Sequence, residues 1–168
     1  MIEKDVRMIA RTHCPMMKTA ALLGERWTLM LIRECFLGFR RFDEFKENLQ
    51  ISKSVLSTKL RYLVEEGILE KSTYREGKQR ERYEYLLTKK GKDLYKILIA
   101  LTEWGNAYLT EDGVETVDFF DEESKQPTTL NVVDINGNIV PKRNMKIGVN
   151  INRSRVGAAE KHPNKEQY

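Results

Sequence analysis

Residues 52–66 carry short hydroxyl groups and basic groups at a spacing that would place them on one face of an amphipathic helix. Ser52 is a favourable helix N-cap, and Leu56, Leu60 and Leu63 recur at the three- and four-residue spacing of a buried helix face. The opposite face carries Lys53, Ser54, Ser57, Thr58 and Arg61. A helix of this kind fits the major groove of B-DNA, where such groups reach base edges and phosphates. The pattern therefore predicts a DNA-reading helix from Lys53 to Glu66.

A basic hairpin is predicted directly after this helix. Ile68–Tyr74 and Arg82–Leu87 are rich in β-branched and aromatic residues, as strands are, and a polar, glycine-containing segment separates them. The basic residues of the tip and of the start of its second strand are Arg75, Lys78, Arg80 and Arg82. Such a tip can lie along the minor groove or the backbone and release counterions from phosphates. Taken alone it could equally be a solvated loop, but its place after a reading helix favours DNA contact.

Three further helices are needed to position the reading helix. Pro15 marks the start of the first helix, and Gly24 bends or ends it. The second helix ends at Gly38. Phe42–Leu49 forms a short third helix that holds the reading helix in place. Arg40 and Arg41 precede it, and we expect one of them to contact phosphate or to pair with a carboxylate, the alternative being an ordinary surface arginine.

Thr88 is predicted to cap a long final helix that runs to about Leu109. Its apolar residues alternate at three- and four-residue spacing, the pattern of two helices packed side by side. The seam consists of Leu94, Ile97, Leu101, Trp104 and Tyr108. Either it forms a dimer interface, which we favour, or it packs on its own domain.

The sequence predicts a leader (1–13), a winged helix-turn-helix domain (14–109), an extension (110–152) and a tail (153–168) that we expect to be disordered. In the extension, Thr129–Val133 and Asn138–Pro141 flank a turn with an Asn-Gly pair, which is a strong hairpin signal. Residues 146–151 could add a strand. The expected fold class is α+β, mainly α: a winged helix-turn-helix with N-terminal helices, a long C-terminal helix and a small β-hairpin extension.

Charge and composition favour a polyanion partner and argue against several other classes. Residues 1–110 hold 21 Lys and Arg against 15 Asp and Glu, whereas residues 111–168 hold 8 against 10. No apolar run is long enough for a membrane span and the N-terminus does not resemble a signal peptide, so a cytoplasmic protein is expected. There is no nucleophile–base pair, phosphate loop or metal cluster, so we expect no enzyme, no metal and no cofactor.

Several motifs in order resemble the HxlR-type winged-helix regulators over about residues 14–109. They are Cys14-Pro15, Leu22–Thr28, Gly38–Phe45, Ile51–Gly67, Tyr83–Gly91 and Trp104-Gly105. Glu25 departs from the pattern, since a glycine is usual there. The resemblance implies a homodimer, with the N-terminal and last helices at its interface, that binds an inverted-repeat operator in double-stranded DNA.

The resemblance also draws attention to Cys14, because some HxlR-type proteins sense oxidants or electrophiles through a cysteine at this position. Cys14 precedes a helix start and lies near His13 and Lys18, and helix N-termini and cations stabilise a reactive thiolate. The alternative is a structural, half-buried thiol. Cys35 lies on an apolar helix face, where inert packing is expected.

The sequence therefore predicts a DNA-binding transcriptional regulator, expected to be a repressor, that responds to an oxidant or a small-molecule effector. The alternative is a winged-helix protein-interaction module without sequence-specific DNA binding, since a fold does not determine a function.

Overall fold

The computed structural model describes residues 14–75, 81–111 and 119–145. The leader, the tail, the strand expected over 146–151 and the wing-tip residues Lys78 and Arg80 lie outside the described residues. The elements follow in chain order. They are α1 (Pro15–Leu23), α2 (Arg26–Phe36), α3 (Phe42–Leu49), α4 (Lys53–Glu65), β1 (Leu69–Tyr74), β2 (Arg82–Leu87), α5 (Lys89–Lys92), α6 (Tyr95–Tyr108) and a 3₁₀ turn (Lys142–Asn144).

Local capping chemistry sets most helix ends where the sequence places them. Pro15 is in the first turn of α1. The Ser52 hydroxyl accepts a hydrogen bond from the Val55 amide at the start of α4. Gly38, with φ of 92°, and Gly67, with φ of 66°, occupy the left-handed conformation just after α2 and α4. That conformation costs glycine little, so the chain can leave each helix sharply.

The two strands form an antiparallel hairpin that is attached to the start of α3. The register runs from Leu69 opposite Leu87 to Tyr74 opposite Arg82. The Tyr85 amide donates to the Arg40 carbonyl over 2.8 Å, and Arg41 forms an isolated bridge with Glu84. The wing and the helix-turn-helix are therefore one connected surface.

The core lies beneath α4. Its largest fully buried side chains come from α2, α3, α4, the start of β1 and the residue before it, and they are Leu31, Ile32, Phe45, Leu56, Leu60, Leu63, Ile68 and Leu69. The three leucines expected on the inner face of the reading helix are all among them. Burying side chains of this size is worth roughly 1.5–3 kcal/mol each, which anchors α4 by its inner face.

The final helix differs from the sequence-based expectation. Thr88 does cap a helix, since its hydroxyl accepts from the Gly91 amide, but the helix is interrupted after one turn. At the break the Leu94 amide bonds the Gly91 carbonyl, only three residues back. Gly91 is buried against Ile68, and a Cβ there would lie 2.2 Å from the Ile68 carbonyl oxygen. This close contact holds α5 on the hairpin, so the chain turns before α6 begins.

The extension packs on the domain through few contacts. Phe119 lies against the core cluster, and the Leu130 amide donates to a Glu103 carboxylate oxygen on α6 over 2.9 Å. The hairpin turn is present, with Gly137 at φ of 86° and Asp134 accepting from the Asn138 amide. Its predicted strands are reduced, within residues 119–145, to an isolated bridge between Val133 and Ile139. Such short, exposed pairing gives little stability of its own.

Candidate nucleic-acid interface

The outer face of α4 is a continuous exposed surface of hydroxyl and basic groups. All the residues that the sequence assigns to DNA reading on this helix are exposed, namely Ser52, Lys53, Ser54, Ser57, Thr58 and Arg61. We call this set the reading face. Because the buried leucines lock the inner side, the helix cannot rotate this face away from solvent without opening the core.

Hydrogen bonds within the helix set what each group can offer to DNA. The Thr58 hydroxyl donates to the Ser54 carbonyl over 3.0 Å, so it presents its methyl group and its acceptor lone pairs. Arg61 lies 3.9 Å from the Glu65 carboxylate, and both side chains are exposed. Exposed pairs of this kind contribute little to stability. The Arg61 guanidinium can therefore leave the Glu65 carboxylate and bind another anion.

A cleft of about 560 Å³ separates the start of α3 from the tip end of the two wing strands. Arg41 lines it, half-buried, with its guanidinium 4.5 Å from the centre of the Tyr74 ring. Arg82 lies across the cleft, 3.8 Å from the Asp43 carboxylate. Stacking on a ring holds a guanidinium in place while its edge stays able to bind an anion. Of the predicted wing cations, Arg75 and Arg82 are exposed.

Sequence reasoning missed one cation on the wing. Lys71 in β1 is exposed, and its ammonium group lies 3.6 Å from the centre of the Tyr83 ring. Lys71 lies on the same face of the strand as the buried Leu69, so the period-two pattern alone would have placed it inward, and only the tertiary structure shows that Lys71 and Thr73 are exposed. The basic surface of the wing is therefore wider than its tip.

Two polar links position the reading helix from behind. The buried Glu34 carboxylate in α2 accepts from the Arg33 guanidinium and from the Asn48 amide of α3, each over 2.8 Å. Lys59 on α4 forms an ion pair with Glu25, at the junction of α1 and α2. Glu25 is the residue that departs from the family pattern, so this second link is a feature of this chain.

The predicted seam on the last helix divides into two parts. Leu94 and Ile97 are half-buried and pack against the core, as the alternative interpretation requires. Leu101, Trp104 and Tyr108 are 49%, 56% and 64% exposed. An apolar surface of three large side chains in a row is typical of a protein–protein contact. The later half of the seam is therefore the part available to a second copy.

The two cysteines have different environments, and neither is in a disulfide. Cys14 directly precedes α1 and is half-buried. Burial raises the pKa of the Cys35 thiol to about 12, and the nearby Glu34 carboxylate acts in the same direction. Cys35 is therefore a protonated, unreactive thiol at neutral pH.

Residues 14–75, 81–111 and 119–145 contain no group of three or more His, Cys, Asp and Glu side chains that could hold a metal ion. None of the helices there has the length and apolar character needed to cross a membrane.

Comparison with known proteins identifies both the family and the fold. The family model described as HxlR-like helix-turn-helix matches residues 22–113. The HTH-type transcriptional regulator Rv3095 of Mycobacterium tuberculosis, itself uncharacterised, is 46% identical over 88 residues, which are 52% of this chain and 54% of that protein. The chain thus spans about half the length of this curated relative.

Two solved structures extend the comparison. The crystal structure of PA1607, a candidate transcription factor, has a TM-score of 0.74 at 28% identity, and the match covers 85% of this chain and 99% of that one. The matched part of this chain is longer than residues 1–113, so the match to PA1607 includes part of the C-terminal extension. The redox regulator HypR in its oxidized form has a TM-score of 0.51 at 30% identity, covering 59% of this chain and 99% of that one. The matches confirm the winged-helix resemblance, and they are to regulators rather than enzymes.

Proposed function

This chain belongs to the HxlR-like helix-turn-helix family, and we propose that it is a transcriptional regulator that binds operator DNA as a homodimer. We further propose that it acts in the cytoplasm as a repressor. Oxidation at Cys14 then lowers its affinity for operator DNA. The observation that carries the proposal is the reading face. Five hydroxyl and basic residues of α4 and its N-cap Ser52 are exposed together while the leucines of the same helix are buried.

The wing and the reading face support a single DNA-binding mode. In a winged helix-turn-helix bound to DNA, the reading helix lies in the major groove and the hairpin follows the neighbouring backbone. Arg82 and Lys71 on the hairpin then neutralise phosphates, which supplies affinity without sequence choice. Arg61 and Ser57 lie on the helix, where base edges are within reach.

The exposed part of the seam supports the homodimer. Leu101, Trp104 and Tyr108 would pack against the same residues of a second copy, and the Met16 side chain of α1, 72% exposed, adds apolar surface. A two-fold symmetric dimer places its two reading helices in successive major grooves, about 34 Å apart. The operator is therefore expected to be an inverted repeat.

The proposed oxidant response rests on Cys14 and on the likeness to HypR. Cys14 directly precedes α1, a helix that we expect at the dimer interface because of the family resemblance. A covalent change there would alter the packing of α1 and hence the spacing of the two reading helices. With Cys35 protonated and shielded, Cys14 is the more reactive of the two thiols.

Fluorescence anisotropy with a duplex from the chain's own promoter region tests DNA binding. Arg61→Ala should weaken binding by about 5- to 150-fold and relax sequence preference, since a base contact is worth about 1–3 kcal/mol. Lys71→Ala should lower the slope of log affinity against log salt by about 0.9, the effect of one lost phosphate contact. Arg143→Ala, which removes an exposed arginine from the extension, is the matched control and should bind as the unaltered chain does.

Two results would contradict the proposal. One is equal affinity for promoter and random duplexes at physiological salt. The other is an Arg61→Ala chain that binds no more weakly than Arg143→Ala. For the oxidant response, diamide should release the unaltered chain from DNA and leave the Cys14→Ser chain bound; release of both would exclude Cys14 as the sensor.

A further inference from the structure

A second cavity lies behind the reading helix, between α4 and the junction of α1 and α2. Its volume is about 230 Å³. The residues that line it are Ala21, Leu22, Glu25, Thr28, Thr58, Lys59 and Tyr62. Three of them belong to α4, and Thr58 is also part of the reading face. The cavity therefore touches the DNA-reading element from its protein side.

Thr28 in the wall of this cavity has a buried hydroxyl without a partner. The residue is 1% exposed, and within the described residues its Oγ1 makes no hydrogen bond. Buried polar groups in native proteins are nearly always paired, so an unpaired one calls for a specific explanation such as an absent ligand. Threonine in a helix populates two side-chain rotamers, so a change of χ1 from one staggered well to the other exchanges the hydroxyl with the methyl group.

The lining determines the class of molecule that fits. Ala21 and Leu22 contribute apolar surface, and the opposite charges of Glu25 and Lys59 already pair with each other. A charged ligand would have to break that pair, whereas a neutral one leaves it intact. The volume is below the roughly 300 Å³ at which sites for drug-sized ligands begin, which indicates a molecule of about one ring.

We propose that this cavity binds a small neutral molecule, about one ring in size, whose oxygen accepts a hydrogen bond from Thr28, and that binding alters the affinity for DNA. The binding of the molecule is inferred from the cavity and the unpaired Thr28 hydroxyl. Its effect on the affinity for DNA rests on the proposed function. The ligand separates α1 from α4 by filling the space between them. A ligand shifts a conformational equilibrium only by its difference in affinity for the two states. Here those states differ in the position of the reading helix relative to α1.

Binding is tested first on the full chain without DNA. Cyclohexanone and benzyl alcohol serve as oxygen-bearing probes, and toluene is the matched molecule without oxygen. In ¹⁵N–¹H correlation spectra, both oxygen-bearing probes should give saturable shifts at Leu22, Thr28 and Tyr62, and toluene should bind at least tenfold more weakly. Shifts elsewhere or no saturable shift would overturn the proposal in favour of a cavity that holds only water. Equal binding of toluene would overturn it in favour of an apolar site to which the Thr28 hydroxyl does not contribute.

Variants then separate the site from general surface affinity. Thr28→Val removes the hydroxyl at nearly constant shape and should weaken both oxygen-bearing probes at least tenfold, while Thr19→Val on the exposed face of α1 should leave them unchanged. Ala21→Phe, at an exposed position, should block the cavity and abolish the shifts even if Thr28→Val fails to fold. Unchanged binding by the Ala21→Phe chain would overturn the proposal.

The coupling is measured last, by anisotropy with the promoter duplex. Saturating cyclohexanone should change the Kd for DNA at least threefold in the unaltered chain and leave it unchanged in Ala21→Phe. Probe binding with an unchanged Kd would overturn the coupling. Probe binding by a chain that does not recognise promoter DNA would refute the proposed function and leave the cavity site standing.

Discussion

Replacing Asn48 with aspartate tests the link that holds α3 beneath the reading helix. The Asn48 amide donates to the Glu34 carboxylate, whose residue is only 3% exposed. Asn48→Asp removes this donor and places a second carboxylate in its position. The shape of the side chain is almost unchanged, so the effect reports electrostatics and hydrogen bonding rather than packing.

The size of the effect follows from the geometry. Two like charges about 4 Å apart repel by roughly 4 kcal/mol at an effective dielectric constant of about 20. Because Asn48 is solvent-exposed, screening reduces this to about 2 kcal/mol, and the lost hydrogen bond to a charged group adds about 1.5 kcal/mol. A total of about 3.5 kcal/mol corresponds to a fall in Tm of about 7–14 °C for a chain of this size.

Thermal unfolding of four full-length chains, followed by circular dichroism at pH 7, measures the effect. Glu34→Gln alone should cost about 1 kcal/mol, because its amide can accept from Arg33 and donate to a flipped Asn48. The double variant Glu34→Gln with Asn48→Asp should return to within about 1 kcal/mol of the unaltered chain, since donor and acceptor have exchanged places. Asn131→Asp, an exposed change in the extension, is the charge control.

The reasoning fails if the two substitutions are additive. A double variant less stable than either single one would show that residues 34 and 48 do not interact, since contacting residues give a measurable coupling energy. Equal Tm values for Asn48→Asp and Asn131→Asp would show that position 48 is an ordinary surface site.

Three further predictions concern the fold, the thiols and the dimer. Gly91→Ala should lower the stability by about 1–3 kcal/mol in urea unfolding, because its Cβ would overlap the Ile68 carbonyl oxygen; an unchanged midpoint would exclude the close contact. Iodoacetamide at pH 8 should alkylate Cys14 and leave Cys35 intact by mass spectrometry, because burial keeps Cys35 protonated below pH of about 12; equal labelling would contradict its burial. Trp104→Glu should convert a dimer to a monomer in sedimentation velocity, because a charge would enter an apolar interface; an intact dimer would place the interface elsewhere.

Much of the reading face could be predicted because its causes are local. The helical spacing of Leu56, Leu60 and Leu63 decides which side of α4 is buried, and therefore which side is exposed. Ser52 caps the helix with its own hydroxyl, and Gly67 ends it through its own backbone freedom. These effects act within one or two turns, so the order of residues is sufficient to predict them.

Features that depend on distant residues could not be predicted in the same way. The break after α5 arises because Gly91 meets Ile68, and periodicity within 88–109 carries no signal of that contact. The seam shows the same limit, since Leu94 and Trp104 share one spacing pattern but only the first reaches the core. The pattern places side chains on a helix face; only the packing of other elements decides whether that face is covered.

The sequence alone determined the type of element from α1 to β2, the inner and outer faces of α4 and the resemblance to the family. Tertiary structure decided which polar groups meet, as when Lys59 pairs with Glu25 and Glu34 with Asn48. It also left the Thr28 hydroxyl without a partner beside a cavity. The physical reason is that hydrogen bonds and ion pairs act over a few ångströms in space, whereas their members lie far apart along the chain.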